Sequence, residues 1–597
     1  MDSHNPIAKL FFSCFEPFLK LLYAKTERIE NGQEDNPFFE FIQQIENPNQ
    51  VQLETLLKIL EYYRNTKYFS FHSFEGIASV EEFQAKQPLS AYEDVSEYII
   101  EIANGGDYSC LLPEPVINFA LSSGTSGKTR KMIPHTATSL GLIRKRFVDL
   151  PDGILHAKTP TIMKRIKDKK GVAFLHIGKT ITTEAGIEAS GLTTAVLKNS
   201  MSHEILSQMY FSPLEVFLTR NHEEALLGHW KYALLNRQHI YFLRANFSGH
   251  IYEALQFLES GWEKIVSEIR QGGYQKGRGK LDLVAANMDI ANMVSLNDQD
   301  LIANTLEDEF NKGFENIVER LFPNLQIISC ITTGAFAIYQ KLLRKYIPKR
   351  IPIYSPMIAA SEGVFGINTS PLLNEVRYTL YPSSAFFEYI KEEDLDKEDP
   401  PTYLMHELEV GNSYETVITN FQGLFRYRQG DVVKVTGFEK NTPQVEFRYR
   451  VGAVLNIDQE RTSEAMLTES IEKMGQTMPD GIQVVDFTSY PDVEGLKPRY
   501  RFFLELNGLD GIEKLGIQPL ALALDEALGE ANFFYRTNRE SGRLGMARVT
   551  LVQSGTFRGY ADMARDLGTD PTQFKPPRCI AEQHIAMFES QVVMDSV

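Results

Sequence analysis

Four cysteines in 597 residues are too few for a disulfide framework, and Cys14, Cys110, Cys330 and Cys579 show no metal-ligand spacing. The simplest expectation is a reducing, cytoplasmic setting. Positive charge is also short. Sixty-one Lys and Arg stand against 78 Asp and Glu, for a formal charge of -17. That balance argues against nonspecific binding to nucleic acid, so no nucleic-acid partner is expected. It leaves room for a local basic pocket. Long apolar runs are missing as well. Phe11, Phe12, Phe15, Phe18, Leu19, Leu21 and Leu22 make the early chain apolar. Lys9, Glu16 and Lys20 interrupt it before the ~20 residues that a transmembrane segment requires. No secretory signal is evident. The segment reads as packing on the main body, with an amphipathic helix on a membrane surface as the alternative. No internal repeat or low-complexity stretch stands out.

What is present is core-forming material. Apolar residues make up 43% of the chain and aromatics 11%, which supports large packed cores. The length allows more than one domain. Residues 7–100 read as mainly helical, as do stretches of 202–270. KKGVAFLHIGK at 169–179 reads as a strand. FENIVERLFPN followed by LQIISCITTG predicts helix, turn, buried strand and a Gly-containing loop. IPIYSPMIA reads as a strand that delivers Ser361 and Glu362, and GGYQKGRGK at 272–280 as an exposed connector. YETVITN and GLFRYRQGDVVKVTGF read as strands around a turn. Beyond a composition change near 455–465, strands IQVVDFTSY, RYRFFLELNG and ARVTLVQS accompany an alanine-rich helix around 518–530. The expected fold is α/β, with a large domain over 1–457 and a smaller one over 458–597.

Three motifs carry chemistry. SSGTSGKTRKMIP at 122–134 combines small side chains, hydroxyls and flexible backbone with Lys128, Arg130 and Lys131. Such a loop can bring N–H groups to phosphate oxygens while cations neutralise a triphosphate. It is not the Walker pattern, and an ordinary exposed turn has the same composition. AASEG places Glu362 after a strand. A carboxylate beside a triphosphate repels it unless a divalent cation lies between, and Mg²⁺ suits such a bridge. Glu362 is therefore the metal candidate, with a helix N-terminal glutamate as the alternative. FRYRQGDVV sets Asp431 at a strand end, where it could accept from ribose hydroxyls. Gly-Asp is also a common turn pair.

In order and spacing these motifs resemble those of the GH3 family of acyl-acid amido synthetases, relatives of the adenylate-forming enzymes. Ser122, Ser123, Gly124, Thr125 and Ser126, with Lys131 and Pro134, match the family's phosphate loop; Lys128 replaces a usual glycine. Ala359, Ser361 and Glu362 match its second signature, in which Ile358 replaces the tyrosine that lines the adenine pocket and Ala360 replaces a serine. Thr333, Gly334 and Ala335 resemble a segment shaping the nucleotide and acyl pocket. Tyr427, Arg428, Gly430 and Asp431 follow the third signature, and Arg450 takes the position of a phosphate or ribose contact. FKPPRC resembles a terminal segment whose lysine, here Lys575, meets the α-phosphate or carboxylate during catalysis. The likeness runs through most of 50–597.

The resemblance implies a multi-layer adenylate-forming domain with a mobile C-terminal domain. It implies ATP and Mg²⁺ as cofactors, with a small carboxylic acid and an amino acid or other amine as substrates. Lys575 and Glu362 are the expected catalytic residues. An acyl-CoA or acyl-thioester synthetase and a noncatalytic nucleotide-binding regulator are the competing readings. The motifs carry no information on oligomeric state.

Overall fold

The computed structural model describes residues 36–596, apart from 123–130, 168, 179, 201–202, 220, 272–295, 452–453, 456, 458–459, 461, 480, 494–496, 509–515 and 567–573. The apolar N-terminal segment, the core of the Ser/Gly loop and the connector at 272–280 thus lie outside the described residues.

The first described stretch is helical, as its periodicity predicts. Asn36 caps Pro37–Glu46, with proline at the helix start, and Phe38, Phe41 and Ile45 form its buried stripe. Four more helices follow, ending with Glu93–Ala103. They pack beside a four-stranded sheet in the order Met132–His135, Asn118–Leu121, Glu188–Ser190, Ile181–Thr182. The Ser/Gly motif joins the two antiparallel strands Asn118–Leu121 and Met132–His135. The strand Met132–His135 was not anticipated from the sequence. Pro134 is tolerated there because Met132–His135 is an edge strand. Thr136 and Ser139 then form a reciprocal capping box for Ala137–Arg144.

A second four-stranded sheet is wholly parallel: Lys170–Ala173, Ile240–Phe247, Ile327–Ile331 and Ile353–Tyr354. Helices His222–Leu235 and Ser248–Arg270 pack on it around the fully buried Trp230. The expectation of helix through 202–270 omitted Ile240–Phe247. Its apolar run is short and bounded by helical segments, so pairing with two neighbours decides its state. The strand read at 169–179 is also shorter, spanning Lys170–Ala173.

The third sheet has seven antiparallel strands: Phe386–Lys391, Ser413–Thr419, Tyr427–Glu439, Thr442–Arg450, Tyr378–Leu380, Gly363–Ile367 and Met357–Ala360. IPIYSPMIA is therefore two strands, not one. Pro356 lacks a ladder donor, and the chain changes sheets around it, from Ile353–Tyr354 to Met357–Ala360.

The smaller C-terminal part is α/β, with strands Gln483–Asp492, Arg499–Asn507, Arg548–Val552 and Val592–Asp595. Alternation assigns the two faces of its second strand. Phe502 and Leu504 join Leu467, Leu520 and Leu524 of helices Glu464–Gly475 and Gln518–Ala531. Phe503 turns the other way, toward Phe557 and Tyr560 of helix Thr556–Asp566. The expected strands and alanine-rich helix are all present; the edge strand Val592–Asp595 went unread. Asp486 ties the two parts together. It accepts from the Tyr339 hydroxyl at 2.6 Å and from the buried Arg578 guanidinium.

His135 joins the first sheet to the third. A carbonyl can only accept, so its Nε2–H donates to Ser361 O at 3.0 Å. The ring is fully buried, and that burial lowers its pKa from 6.5 to about 4. The native state holds His135 neutral while the unfolded chain binds a proton below pH 6.5. Its contribution is complete above that pH and is lost as pH falls toward 4, up to about 3 kcal/mol. His135→Gln should therefore lose stability less steeply than wild type between pH 6.5 and 4 in chemical denaturation. An identical slope in both proteins assigns the acid sensitivity elsewhere.

Candidate active site

A cavity of ≈ 290 Å³ opens where these layers meet. The parallel sheet contributes residues at the carboxyl ends of two strands, including Asn246, Phe247 and Ile331. The seven-stranded sheet contributes Ile358, Ala359, Ala360, Asp431, Phe447 and Arg450. Ser122 enters from the first sheet, and Glu464, Lys575, Pro576 and Pro577 from the C-terminal part. Residues far apart in sequence thus share one wall.

Asp431 stands inside the strand Tyr427–Glu439, not at the strand end that its Gly-Asp punctuation suggested, and is the direct register partner of Arg450 on the neighbouring antiparallel strand. Arg450 Nε and Nη2 donate to Asp431 Oδ1 and Oδ2 at 2.7 and 3.0 Å, a planar fork. Asp431 holds the Arg450 pKa above its ordinary value against the effect of burial. Gly430 takes φ +86°, the left-handed region, and its carbonyl accepts from Val451 N at 2.6 Å. As register partners on adjacent strands, the two charged side chains project from the same face of the sheet. Two of the carboxylate's acceptor directions are taken by the guanidinium, and two remain.

Glu362 sits at the turn between Met357–Ala360 and Gly363–Ile367. It is a β-turn residue, not a helix N-terminal one. Its side chain is buried and accepts from Ser361 Oγ at 2.8 Å. Asn420 Nδ2 donates to its backbone carbonyl at 3.1 Å, and His135 holds the preceding one. Ser361 lines the cavity, while Glu362 stands just behind that wall.

Lys575 borders the cavity with its Nζ 5.6 and 5.8 Å from the centroids of Phe247 and Phe336. Those rings stack on each other at 4.1 Å. Burial, then the Arg450 charge, lowers the lysine's pKa, while Asp431, Glu464 and Glu362 act in the opposite direction. A desolvated ammonium on aromatic faces retains its full donor set for an anion.

The remaining expected residues divide. Ser122 lines the cavity, and its N–H donates to Lys131 O at 3.0 Å while its Oγ accepts from Lys131 N at 3.1 Å. This pairing closes the base of the Ser/Gly loop, whose Ser123, Gly124, Thr125, Ser126, Lys128 and Arg130 lie outside the described residues. Lys131 Nζ donates to Tyr427 Oη at 2.9 Å and lies over the Tyr92 and Tyr427 rings. Neither Lys131 nor Tyr427 is part of the cavity wall. Thr333 and Gly334 are, with Thr333 Oγ1 3.1 Å from Tyr378 Oη. Gly334 has φ +64°, and a Cβ there would press on Phe447 at 3.2 Å. Ala335 belongs to the same short turn.

Sequence reasoning missed several wall residues. Glu464 opens a helix just after its Ser463 cap, and burial raises its pKa. The Ser463-Glu464 pair at the end of the composition change near 455–465 was the available signal. Phe247 carries no motif, while Phe336 and Phe447 lie within family-like segments beside Gly334 and Arg450 without being singled out as site residues. Arg244 and Asp152 also border the cavity as an ion pair.

Three family models match the chain: the GH3 family N-terminal domain over residues 39–353, its central domain over 378–450 and its C-terminal domain over 465–584. An indole-3-acetic acid-amido synthetase of Arabidopsis thaliana, GH3.4, is 30% identical over 567 residues, covering 93% of each chain. A 4-substituted benzoates-glutamate ligase of the same plant, GH3.12, is 31% identical over 84% of this chain and 87% of its own. Jasmonoyl--L-amino acid synthetase JAR4 of Nicotiana attenuata is 28% identical over 96% of this chain and 97% of its own. Among solved structures, the GH3.15 acyl acid amido synthetase superposes with a TM-score of 0.83 at 26% identity, covering 95% of this chain and 97% of that one. With all three of the family's domains matched in order along one continuous fold, the chain belongs to the GH3 family.

Proposed function

We propose that this chain is an ATP-dependent acyl-acid amido synthetase that adenylates a small carboxylic acid and passes the acyl group to an amino acid or other amine. The observation that carries the reading is the shared cavity, where Asp431, Arg450, Ser361 and Lys575 converge from sequence-distant segments. The named relatives join acids to amino acids, which supports an amide product.

In the first step a carboxylate oxygen attacks the α-phosphorus of ATP. The bond to the bridging oxygen breaks, and pyrophosphate leaves. Arg450 and Lys575 supply positive charge where negative charge grows, inside a site that excludes much water. Asp431 orients Arg450 and offers its remaining acceptor directions to the ribose hydroxyls. Ser122 and the adjoining Ser/Gly segment, through Ser126, hold the phosphates, with Lys131 and Tyr427 bracing the base of that loop. Ile358, Thr333, Gly334 and Ala335 shape the adenine and acyl surroundings. In the second step the neutral amine attacks the acyl carbon, the bond to phosphate oxygen breaks, and AMP and a proton are released.

Magnesium fits this site in a limited way. Among the described residues no group of three or more His, Cys, Asp or Glu is arranged to hold a metal. A single buried carboxylate, Glu362, with one hydrogen bond from Ser361, suits a cation held mainly by phosphate oxygens and water. When bound, the ion neutralises phosphate charge.

We further propose that residues 458–597 reorient against 1–457 between the two steps. The division falls between the paired strands Val454–Leu455 and Thr462–Ser463. Cys110, Cys330 and Cys579 are free thiols, which suits a cytoplasmic setting. Among the described residues no helix is long and apolar enough to cross a membrane.

ATP–pyrophosphate exchange across a panel of acids tests the first step, and comparing amines with coenzyme A tests the second. Acid-dependent exchange with a thioester product would move the chain to thioester synthesis. ATP binding without exchange or product would make it a noncatalytic binder. Asp431→Ala should raise the KM for ATP by at least about tenfold, since it removes a charged acceptor and frees Arg450; a normal KM removes the ribose assignment. Lys575→Ala should lower the exchange rate by about a hundredfold with an unchanged melting profile; full exchange sinks its role in adenylation. Glu362→Gln should need more Mg²⁺ for half-maximal rate, and an unaltered Mg²⁺ titration discards it as the metal contact.

A further inference from the structure

Adenylation leaves one charged pair in the cavity without a task. Arg244 lies on Ile240–Phe247, an interior strand of the parallel sheet. Its Nη2 donates to Asp152 Oδ1 on helix Leu150–Lys158. Burial disfavours its charge, and Asp152 and the Tyr210 phenol more than restore it. All three residues border the cavity, with Phe147, Val148 and Leu155 beside Asp152 in the chain. Arg450, by contrast, answers chiefly to Asp431 and Glu362. The same space thus holds two charge clusters, one with the expected nucleotide-handling residues and one on the apolar helical wall.

An ion pair between an interior strand and the helix packed near it is costly to desolvate, and apolar residues of similar volume would often be as stable. This pair is not sealed: Arg244 and Asp152 keep 23% and 32% of their side-chain surface. It is also a single-point contact, one guanidinium nitrogen on one carboxylate oxygen. Arg244 has further N–H donors, and Asp152 has further acceptor directions. A neutral pair that offers a donor and an acceptor side by side matches a hydroxyl, which accepts and donates at once. A second carboxylate would meet the like charge of Asp152, and an ammonium that of Arg244. A wholly apolar ligand would cover both charged groups without replacing their water.

We propose that the acyl substrate of this chain is a hydroxylated carboxylic acid, whose hydroxyl stands remote from the reacting carboxyl and bonds to both Arg244 and Asp152. The inference rests on the adenylation reading and names the substrate class of that same site. Arg244 and Asp152 are then its specificity determinants, and Tyr210 helps orient the guanidinium.

The test is acid-dependent exchange, with amide formation as a second readout, on matched acids: phenylpropanoate against para-hydroxyphenylpropanoate, and octanoate against ω-hydroxyoctanoate. The wild-type protein should favour the hydroxylated member of at least one pair by roughly ten- to a hundredfold in kcat/KM. In Asp152→Asn and Arg244→Gln the ratio should fall to within about twofold. A ratio taken within each variant cancels any general loss of active protein, and Asp152→Asn conserves shape if the arginine change disturbs folding. Equal kcat/KM for both members of both pairs in wild type overturns the inference alone. A preference that persists in either variant overturns the assignment to this ion pair. Absence of exchange and of amide with every acid overturns the adenylation reading, and this inference with it.

Discussion

Arg450 and Asp431 face each other across an antiparallel ladder, and much of the cavity is arranged by that one fork. Register makes them neighbours, the left-handed Gly430 lets the backbone close behind them, and the guanidinium's planarity sets the direction of both side chains. A bidentate pair on adjacent strands is held by two ladders and two hydrogen bonds, so its orientation is nearly fixed before any ligand arrives. Such preorganisation is what electrostatic stabilisation requires, because no reorientation remains to oppose it during reaction. Arg450 also ends the last long strand before the C-terminal part. The Arg450 charge is thus anchored where the two parts of the chain meet.

Around that fork the structure is a set of cross-sheet ties. His135 of the first sheet holds the carbonyl beside Glu362 in the third. The Tyr378 hydroxyl reaches Ser355 at 2.8 Å and Thr333 at 3.1 Å, joining the third sheet to loops that follow the second. Asp486 receives Tyr339 from the large part and Arg578 from the small one. Each tie is polar and at least partly buried, so each is worth far more intact than half-made. They hold sheets of different pleat and direction at one separation, and the cavity is the space that separation leaves. Lys575 completes it from the C-terminal side, lying on the stacked Phe247 and Phe336 rings.

Much of this was legible locally. The buried stripe of Phe38, Phe41 and Ile45, the strand before Thr333, and the strand that carries Asp431 all follow from period and punctuation, although Asp431 stands inside that strand and not at its end. The strands Met132–His135 and Val592–Asp595 were not, and three further places show why. Ile240–Phe247 reads no differently from the helical segments beside it until two parallel neighbours claim its backbone groups. Pro356 marks a break whose consequence, a change of sheet, is invisible along the chain. Glu362 was read after a strand, but not at the turn between two antiparallel ones, because sequence shows a carboxylate's neighbours without showing the next strand's direction.

The amino-acid sequence by itself determined the family, the α/β class and three of the charged groups that line the cavity, Asp431, Arg450 and Lys575. Those properties rest on short segments whose composition and order are complete within a few residues. Which of those groups face one another was a matter for tertiary structure alone. Lys131 turned out to engage Tyr427 beside the wall, while Glu464 and the Arg244–Asp152 pair came to line the cavity without belonging to any motif. Burial, register and the meeting of sheets act between residues separated by hundreds of positions. A charge's surroundings, and so its chemistry, are therefore written in contacts that no local pattern contains.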